Sequence, residues 1–294
     1  MIGSGRVLVL AVLVAVAACD DGGVDPITRI TAPRVLAITT EPSALPLEGE
    51  VVLSALTVDP EGPRIGVGAG APVGERPVDA VRMRACAPWK FINDPARDCV
   101  GDDALPLATD AGGRVVTSAA ELAAAFPSPP GQPPQSDPWR AALAAGLTLR
   151  VPIIAEVDID GRTLVARRDI DVVETGLQRR NPRLVEIRFD GFSARTLRAG
   201  QRYALTATVD RASLDARPSG ALESGALESV DCNFYSPTGE LTEPEASLED
   251  PDASVPETTS NTYTAGPPGT TWLFVVATDD TAGMSASWVP LTIE

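Results

Sequence analysis

The sequence predicts a mainly β protein with two tandem β-sandwich domains, residues 33–175 and 182–294. Short runs that alternate apolar and polar residues are bounded by glycine and proline, the pattern of strands and turns. One hairpin, Leu149 to Val173, satisfies its turn and its apolar face in a single register. The chain also restarts. Pro182-Arg183-Leu184-Val185-Glu186-Ile187 echoes Pro33-Arg34-Val35-Leu36-Ala37-Ile38, and Gly200 to Asp210 echoes Gly49 to Asp59. An internal repeat of this kind reads as two domains of one type, with a boundary near Asn181.

In chain order, Pro33 opens a short strand from Arg34 to Thr39, and Gly49 leads into a strand from Val51 to Asp59. Both faces of that second strand are apolar, which predicts a place inside a sandwich. Residues 66–77 are rich in Gly and Pro and read as a loop. Val81, Met83 and Ala85 share a face of the next strand, which Cys86 closes. An insertion is predicted over about 87–146. It holds a cysteine-bearing loop and two short helices, one with Ser118 and Glu121 at capping-box spacing, the other with Asp137 before Pro138 and a stop at Gly146. In the hairpin, Asp160-Gly161 is a two-residue turn signal, and it sets Val157 opposite Leu164, Val151 opposite Ile170 and Leu149 opposite Val172. Only Arg168 breaks the apolar face. Glu174 to Asn181 reads as a charged linker. In the second domain Val230, Cys232 and Phe234 share a face, Glu240 to Glu257 reads as a solvated acidic loop, and Thr271 to Ile293 forms a last hairpin around Asp279 to Gly283.

The segment before the first domain carries a different signal. Arg6 precedes an apolar run that ends Val16-Ala17-Ala18-Cys19 and is followed by Asp20-Asp21-Gly22-Gly23. This ending resembles the lipobox of bacterial lipoproteins. The resemblance implies a signal peptide over 1–18, cleavage before Cys19, lipid on that cysteine, palmitate included, and a tether over 19–32. The protein would then sit in the cell envelope, anchored to a membrane and facing the periplasm or the cell surface. The run from Val7 to Ala18 is too short to span a bilayer, which takes about 20 apolar residues.

Composition narrows function mostly by exclusion. The chain has 294 residues and a formal net charge of −16, which argues against a nucleic-acid partner, whose phosphates need a basic surface. Histidine is absent, which removes the commonest general base, the commonest metal ligand and the Ser-His and Cys-His triads. The four cysteines are Cys19, Cys86, Cys99 and Cys232. Outside the cytoplasm thiols oxidise, so Cys86 and Cys99 are expected to pair, with Cys232 left over.

Several stretches carry a family likeness. Trp272 to Ser287, with its Val-Val-Ala-Thr-Asp-Asp-Thr-Ala-Gly-Met-Ser, looks like the final hairpin of bacterial immunoglobulin-like and PKD-like domains. Cys232 to Gly239 resembles their middle strand, and Pro33 to Asp59 and Pro182 to Asp210 resemble their first two strands. The whole chain thus resembles bacterial lipoproteins with tandem domains of this kind. Such domains are scaffolds, and the resemblance transfers no catalytic residue and no cofactor.

Three constellations remain. Asp279-Asp280 with Asp231 or the Asp250–Asp252 loop offers oxygen ligands for calcium, but without ordered spacing, and aspartate at a turn more commonly bonds backbone. Trp89 and Trp139 could line a carbohydrate site or plug a core. Cys232 reads as a small buried hydrophobe. The expectation is a lipid-anchored structural or protein-binding module. A carbohydrate-binding or calcium-assisted adhesion lipoprotein is the alternative, and an enzyme the remote one. The envelope protein or glycan that would be its partner is not specified by any motif.

Overall fold

The computed structural model describes residues 28–67, 76–90, 92–127, 137–174, 179–216, 227–248, 258–281 and 283–294. The first half runs β1 (Arg34–Glu41), β2 (Leu45–Pro46), β3 (Glu50–Asp59), β4 (Gly62–Arg64), β5 (Ala80–Cys86), α1 (Pro95–Asp98), β6 (Ala104–Leu107), β7 (Arg114–Ser118), α2 (Ala119–Ala125), α3 (Pro138–Ala144), β8 (Leu149–Ile159) and β9 (Arg162–Val173). In one sheet β3 pairs with β1 on one side and with β4 and β7 on the other. The facing sheet has the order β2-β9-β8-β5-β6. Ile38, Leu53, Met83, Ile153, Val157 and Ile170 meet in the core between them.

The second half runs β10 (Arg183–Phe189), β11 (Thr196–Leu197), β12 (Arg202–Asp210), β13 (Val230–Tyr235), β14 (Glu240–Leu241), β15 (Glu245–Leu248), β16 (Thr258–Thr264), β17 (Gly269–Asp279) and β18 (Met284–Ile293). Its sheets have the orders β10-β12-β16-β14 and β11-β18-β17-β13-β15. Phe189, Leu205, Phe234, Tyr263, Leu273 and Val275 fill a separate core.

The echo seen in the sequence has a structural basis. β1 and β10 each pair antiparallel with the strand after next, and each slips register at a bulge, between Val35 and Ala37 and between Leu184 and Glu186. Each chain segment then crosses to the facing sheet, where β2 and β11 pair in parallel with β9 and β18. The matching aspartates do the same local work. The Asp59 carboxylate accepts from Glu61 N at 2.8 Å and that of Asp210 from Ala212 N at 3.0 Å, so each ends its strand in an Asx turn.

The β8–β9 hairpin has the predicted register throughout, from Leu149 opposite Val172 to Val157 opposite Leu164. Asp160 and Gly161 take φ values of 49° and 73°, the left-handed pair that a two-residue turn requires. Both helix caps form as predicted. Ser118 accepts from Glu121 N at 3.1 Å and Asp137 from Arg140 N at 2.9 Å. The Glu121 carboxylate, however, is bonded by the Thr117 hydroxyl at 3.0 Å.

Three expectations need correction. The predicted insertion over 87–146 is partly sheet, because β6 extends the β5 edge and β7 pairs with β3. These strands are four and five residues long and sit at edges, where alternation is too short to read. The acidic stretch 240–257 is not wholly loop. β14 and β15 lie in it, pairing with β16 and β13, and Leu248 is buried. The tether over 19–32 is docked at its end, where Thr28 and Ile30 are buried.

Cys86 and Cys99 form a disulfide with Cα atoms 5.5 Å apart. Its loop lies over the outer face of β8. Ile154, which interrupts the polar side of that strand, is fully buried against Cys86, Ile92 and Cys99. Arg84 bonds Pro95 O at 3.0 Å and Arg167 bonds Ile92 O, which clamps the loop down. Replacing both cysteines by alanine should lower unfolding free energy by roughly 3 kcal/mol, from the loop the bond closes. Denaturant unfolding of the oxidised wild type beside the double variant measures this, and equal midpoints would contradict it.

Candidate functional site

The residues that converge most closely outside the two cores lie where the halves meet. The junction begins with strands that are apolar on both faces. Val51 and Leu53 of β3 point into the first core, while Leu56 and Val58 point outward. Leu273, Val275 and Ala277 of β17 point into the second core, while Trp272 and Phe274 point outward. These outer faces pack together with Ile30, Leu36, Tyr235 and Trp288 into a cluster of their own, in which Ile30, Val58 and Phe274 are fully buried. The two apolar faces of β3 predict a place inside a sandwich, and the structure buries the second of them against the other half. The same pattern on β17, with two tryptophans nearby, is the signal that identifies an interface.

Polar contacts fix the junction in register. Trp272 Nε1 donates to Glu61 O at 2.9 Å across the halves. Gly62, at φ 130°, lets the ring approach, since a Cβ there would lie 2.8 Å from the indole. The incoming segment is strapped to the second half, with Ile30 N on Ser236 O at 3.1 Å and Ser236 N on Thr28 O at 3.0 Å. At the other end Asn181 bridges. Its amide nitrogen donates to Thr40 O at 2.5 Å, and its oxygen accepts from Met284 N at 2.8 Å. A cleft of about 560 Å³ opens beside Asn181, lined by Thr39, Ser54, Arg183, Asp210 and Ser285, and its Arg183–Asp210 pair is mutually engaged.

Buried charged groups of both halves lie near the junction. Arg168, the break in the hairpin's apolar face, is 7% exposed and donates to Ile38 O on β1. Burial depresses its guanidinium to about 10 against the favourable charges of Asp279 and Asp171. Asp279, 7% exposed, accepts from Gly283 N at 2.7 Å and Thr281 N at 2.9 Å through Oδ1, while its Oδ2 has no hydrogen-bond partner. Burial raises its carboxyl above the ordinary range despite those bonds. Glu228, 1% exposed, also has an unpartnered oxygen, Oε2. Burial first, then the charge of Asp279, pushes it up to about 7. Gly283 lies directly on Asp279, since a Cβ there would fall 2.1 Å from its Oδ2.

The residues singled out from sequence are placed as follows. Cys19 and the Arg6 to Cys19 run lie outside the described residues. Asp250 and Asp252 do as well. Asp279 caps its own turn, and Asp280 bonds Ser229 N at 3.1 Å and Ser229 Oγ at 2.6 Å. Among the described residues no three acidic or thiol side chains gather as a metal site. Trp139 is buried in the first core with its Nε1 on Phe126 O at 3.2 Å, and Trp89 packs edge-on against Phe126. Cys232 is fully buried, which raises its thiol to about 12 and leaves it protonated at neutral pH. No helix among the described residues is long and apolar enough to cross a membrane.

No protein-family model matches the sequence, and no curated protein matches it. Weak structural likeness is found to the D00-D0 domain of Intimin, at 12% identity and a TM-score of 0.26, over 90% of this chain and 98% of that one. The Clostridium thermocellum CbhA fibronectin(III)-like modules match at 12% and 0.25, over 88% and 94%. The Yersinia pseudotuberculosis adhesin InvE matches at 10% and 0.23, over 87% and 58%. These values carry no functional argument.

The Trp272–Gly62 contact is open to a direct check. Trp272→Ala should cost about 2–3 kcal/mol, less than a fully buried tryptophan because the ring is partly exposed. Gly62→Ala should destabilise too, through its Cβ. Because both changes act on one contact, the double variant should lose less than the two single losses combined. Strict additivity in chemical denaturation would show that the two sites are independent.

Proposed function

We propose that the protein is a lipid-anchored module of the cell envelope, made of two tandem immunoglobulin-like or PKD-like domains over 33–175 and 182–294. It acts structurally or by binding a protein partner, and not as an enzyme. The observation that carries this reading is the junction. Val58, Phe274 and Ile30 are fully buried between the halves, so their relative orientation is held by packing and not left to a linker. A fixed pair of sandwiches suits a spacer or platform, whose task is to present a surface at a set place.

The strap supports the same reading. Eight residues lie between Cys19 and Thr28, and even fully extended the nine steps reach only about 30 Å. A lipid on Cys19 would therefore hold the junction close to the membrane. The disulfide fits an oxidising compartment. The net charge of −16 disfavours adsorption to anionic lipid head groups, so attachment would rest on Cys19.

Wild-type protein should partition into detergent and incorporate an alkyne fatty acid. Cys19→Ala should abolish labelling and block signal cleavage. Residues 20–294 behind an ordinary secretion signal should give a soluble, folded protein. If that form still sediments with membranes, attachment comes from the domains or a partner and the anchor reading fails.

A further inference from the structure

The edge of a sheet is a row of main-chain donors and acceptors that another strand can complete, and proteins defend it with bulges, prolines, short strands or cover. Most edges here are defended in these ways. β1 and β10 carry bulges. β4 and β6 are short and hold Pro63 and Pro106, and β7 and β15 have five residues or fewer. β16 is met by β14 and, beyond it, by Thr242 and Glu243. β18 is long, but its Met284 N is taken by Asn181 Oδ1 at 2.8 Å and its Thr292 N by Arg195 O at 2.8 Å. The two-residue period then turns the nitrogen of Pro290 outward as well, where it offers no proton.

β9, the equivalent strand of the first half, is left open. It is 12 residues long, holds one register against β8 from Arg162 to Val172, and contains no proline. β2 covers only Val172 and Val173. Val173 O faces outward, where it accepts from Leu47 N at 2.9 Å, so the main-chain groups of Thr163, Val165, Arg167 and Asp169 face outward too. None of the described residues bonds those groups on that side. The arginines that would guard the edge are drawn back onto their own half. Arg167 holds Asp169 at 2.9 Å and bonds Ile92 O, and Arg168 turns inward to Ile38 O. Val165 is left 50% exposed on an otherwise polar face, opposite Glu156.

We propose that β9 pairs antiparallel with β9 of a second copy of this chain, joining two five-stranded sheets into one, with Val165 on the two-fold axis. An edge laid against itself in this way is an isologous contact. Val165 meets Val165, and Thr163 meets Arg167, so no charge on the outer face stands opposite a like charge. Each of these residues presents its donor and acceptor outward, and each facing pair exchanges two bonds. A register centred on Arg167 is closed. It sets two guanidinium groups opposite each other and brings Arg162 onto Val172, where β2 already pairs. A single edge contact buries less than the roughly 1,200 Å² at which standard interfaces begin, so the dimer is weak and exchanges with monomer.

Sedimentation velocity of the full chain in density-matched detergent should show the mass rise from one copy to two with concentration. Val165→Pro removes one outward donor and no bond to β8, and should weaken the association at least tenfold. Thr163→Pro makes the same test if that variant does not fold. Val165→Cys should cross-link to itself on mild oxidation, since facing bonded residues have Cα atoms about 5.5 Å apart, within disulfide reach. Cys232 is buried and Cys86 and Cys99 are bonded to each other, while wild type oxidised alongside accounts for Cys19. Phe192→Cys, at a more exposed site away from β9, should not cross-link. A wild type that stays monomeric, a dimer that neither proline variant weakens, or equal cross-linking at Phe192 and Val165 overturns the proposal. So does a Val165→Cys chain that cross-links in cells only to another protein, which would assign the edge to a foreign strand.

Discussion

Burial of β3 and β17 on both of their faces is the constraint on which the rest of this structure depends. A strand in a two-layer sandwich ordinarily keeps one face in water and alternates accordingly. Here Leu56 and Val58, and Trp272 and Phe274, continue the apolar pattern on the outer side, and neither half could expose such a patch without penalty. The halves therefore close on each other. Much else is a consequence of that closure. Gly62 must lack a side chain so that the indole of Trp272 can reach Glu61 O. Ile30, ahead of β1, fills the remaining side of the cluster.

Closure also determines the fate of the charged groups around it. Arg168 stands opposite Ile153 on the inner face of its hairpin, where a long cation would be costly. At that edge of the sheet it can bond Ile38 O and send its charge toward Asp279 in the second half. Asp279 is there because the turn from β17 to β18 needs an acceptor for the nitrogens of Thr281 and Gly283. Packing leaves both groups buried. The local requirement of a turn and the global requirement of an interface meet in one carboxylate, and that is why its second oxygen is left without a partner.

What was legible in the sequence follows from how local each feature is. The β8–β9 register was readable because Asp160-Gly161 and the apolar face allow one answer. The caps at Ser118 and Asp137 and the Cys86–Cys99 pair are decided within a few residues of chain. β16 was missed because Thr258 to Thr264 presents mostly hydroxyl and amide side chains, so only Tyr263 marks its inner face. β15 was missed because it is an edge strand whose polar residues face water. Of the junction, the apolar faces were visible but ambiguous. The burial of Glu228 was not visible at all, since it arises from a turn some fifty residues later in the chain. Such a pairing has no local signature.

The strap gives the arrangement a direction. From residue 28 the chain meets the second half first, pairing at Ser236, and only then enters β1, where Arg34 reaches back to Arg29 O at 2.8 Å. The later part of the sequence is thus bound beside the point of entry as closely as the earlier part. In a string of beads on a flexible tether, each domain would move further from the anchor than the one before it. Here a single extended segment touches both halves, and the Asn181 bridge pins them again at the linker. The two halves are thus joined at two separate places, by the apolar cluster and by Asn181.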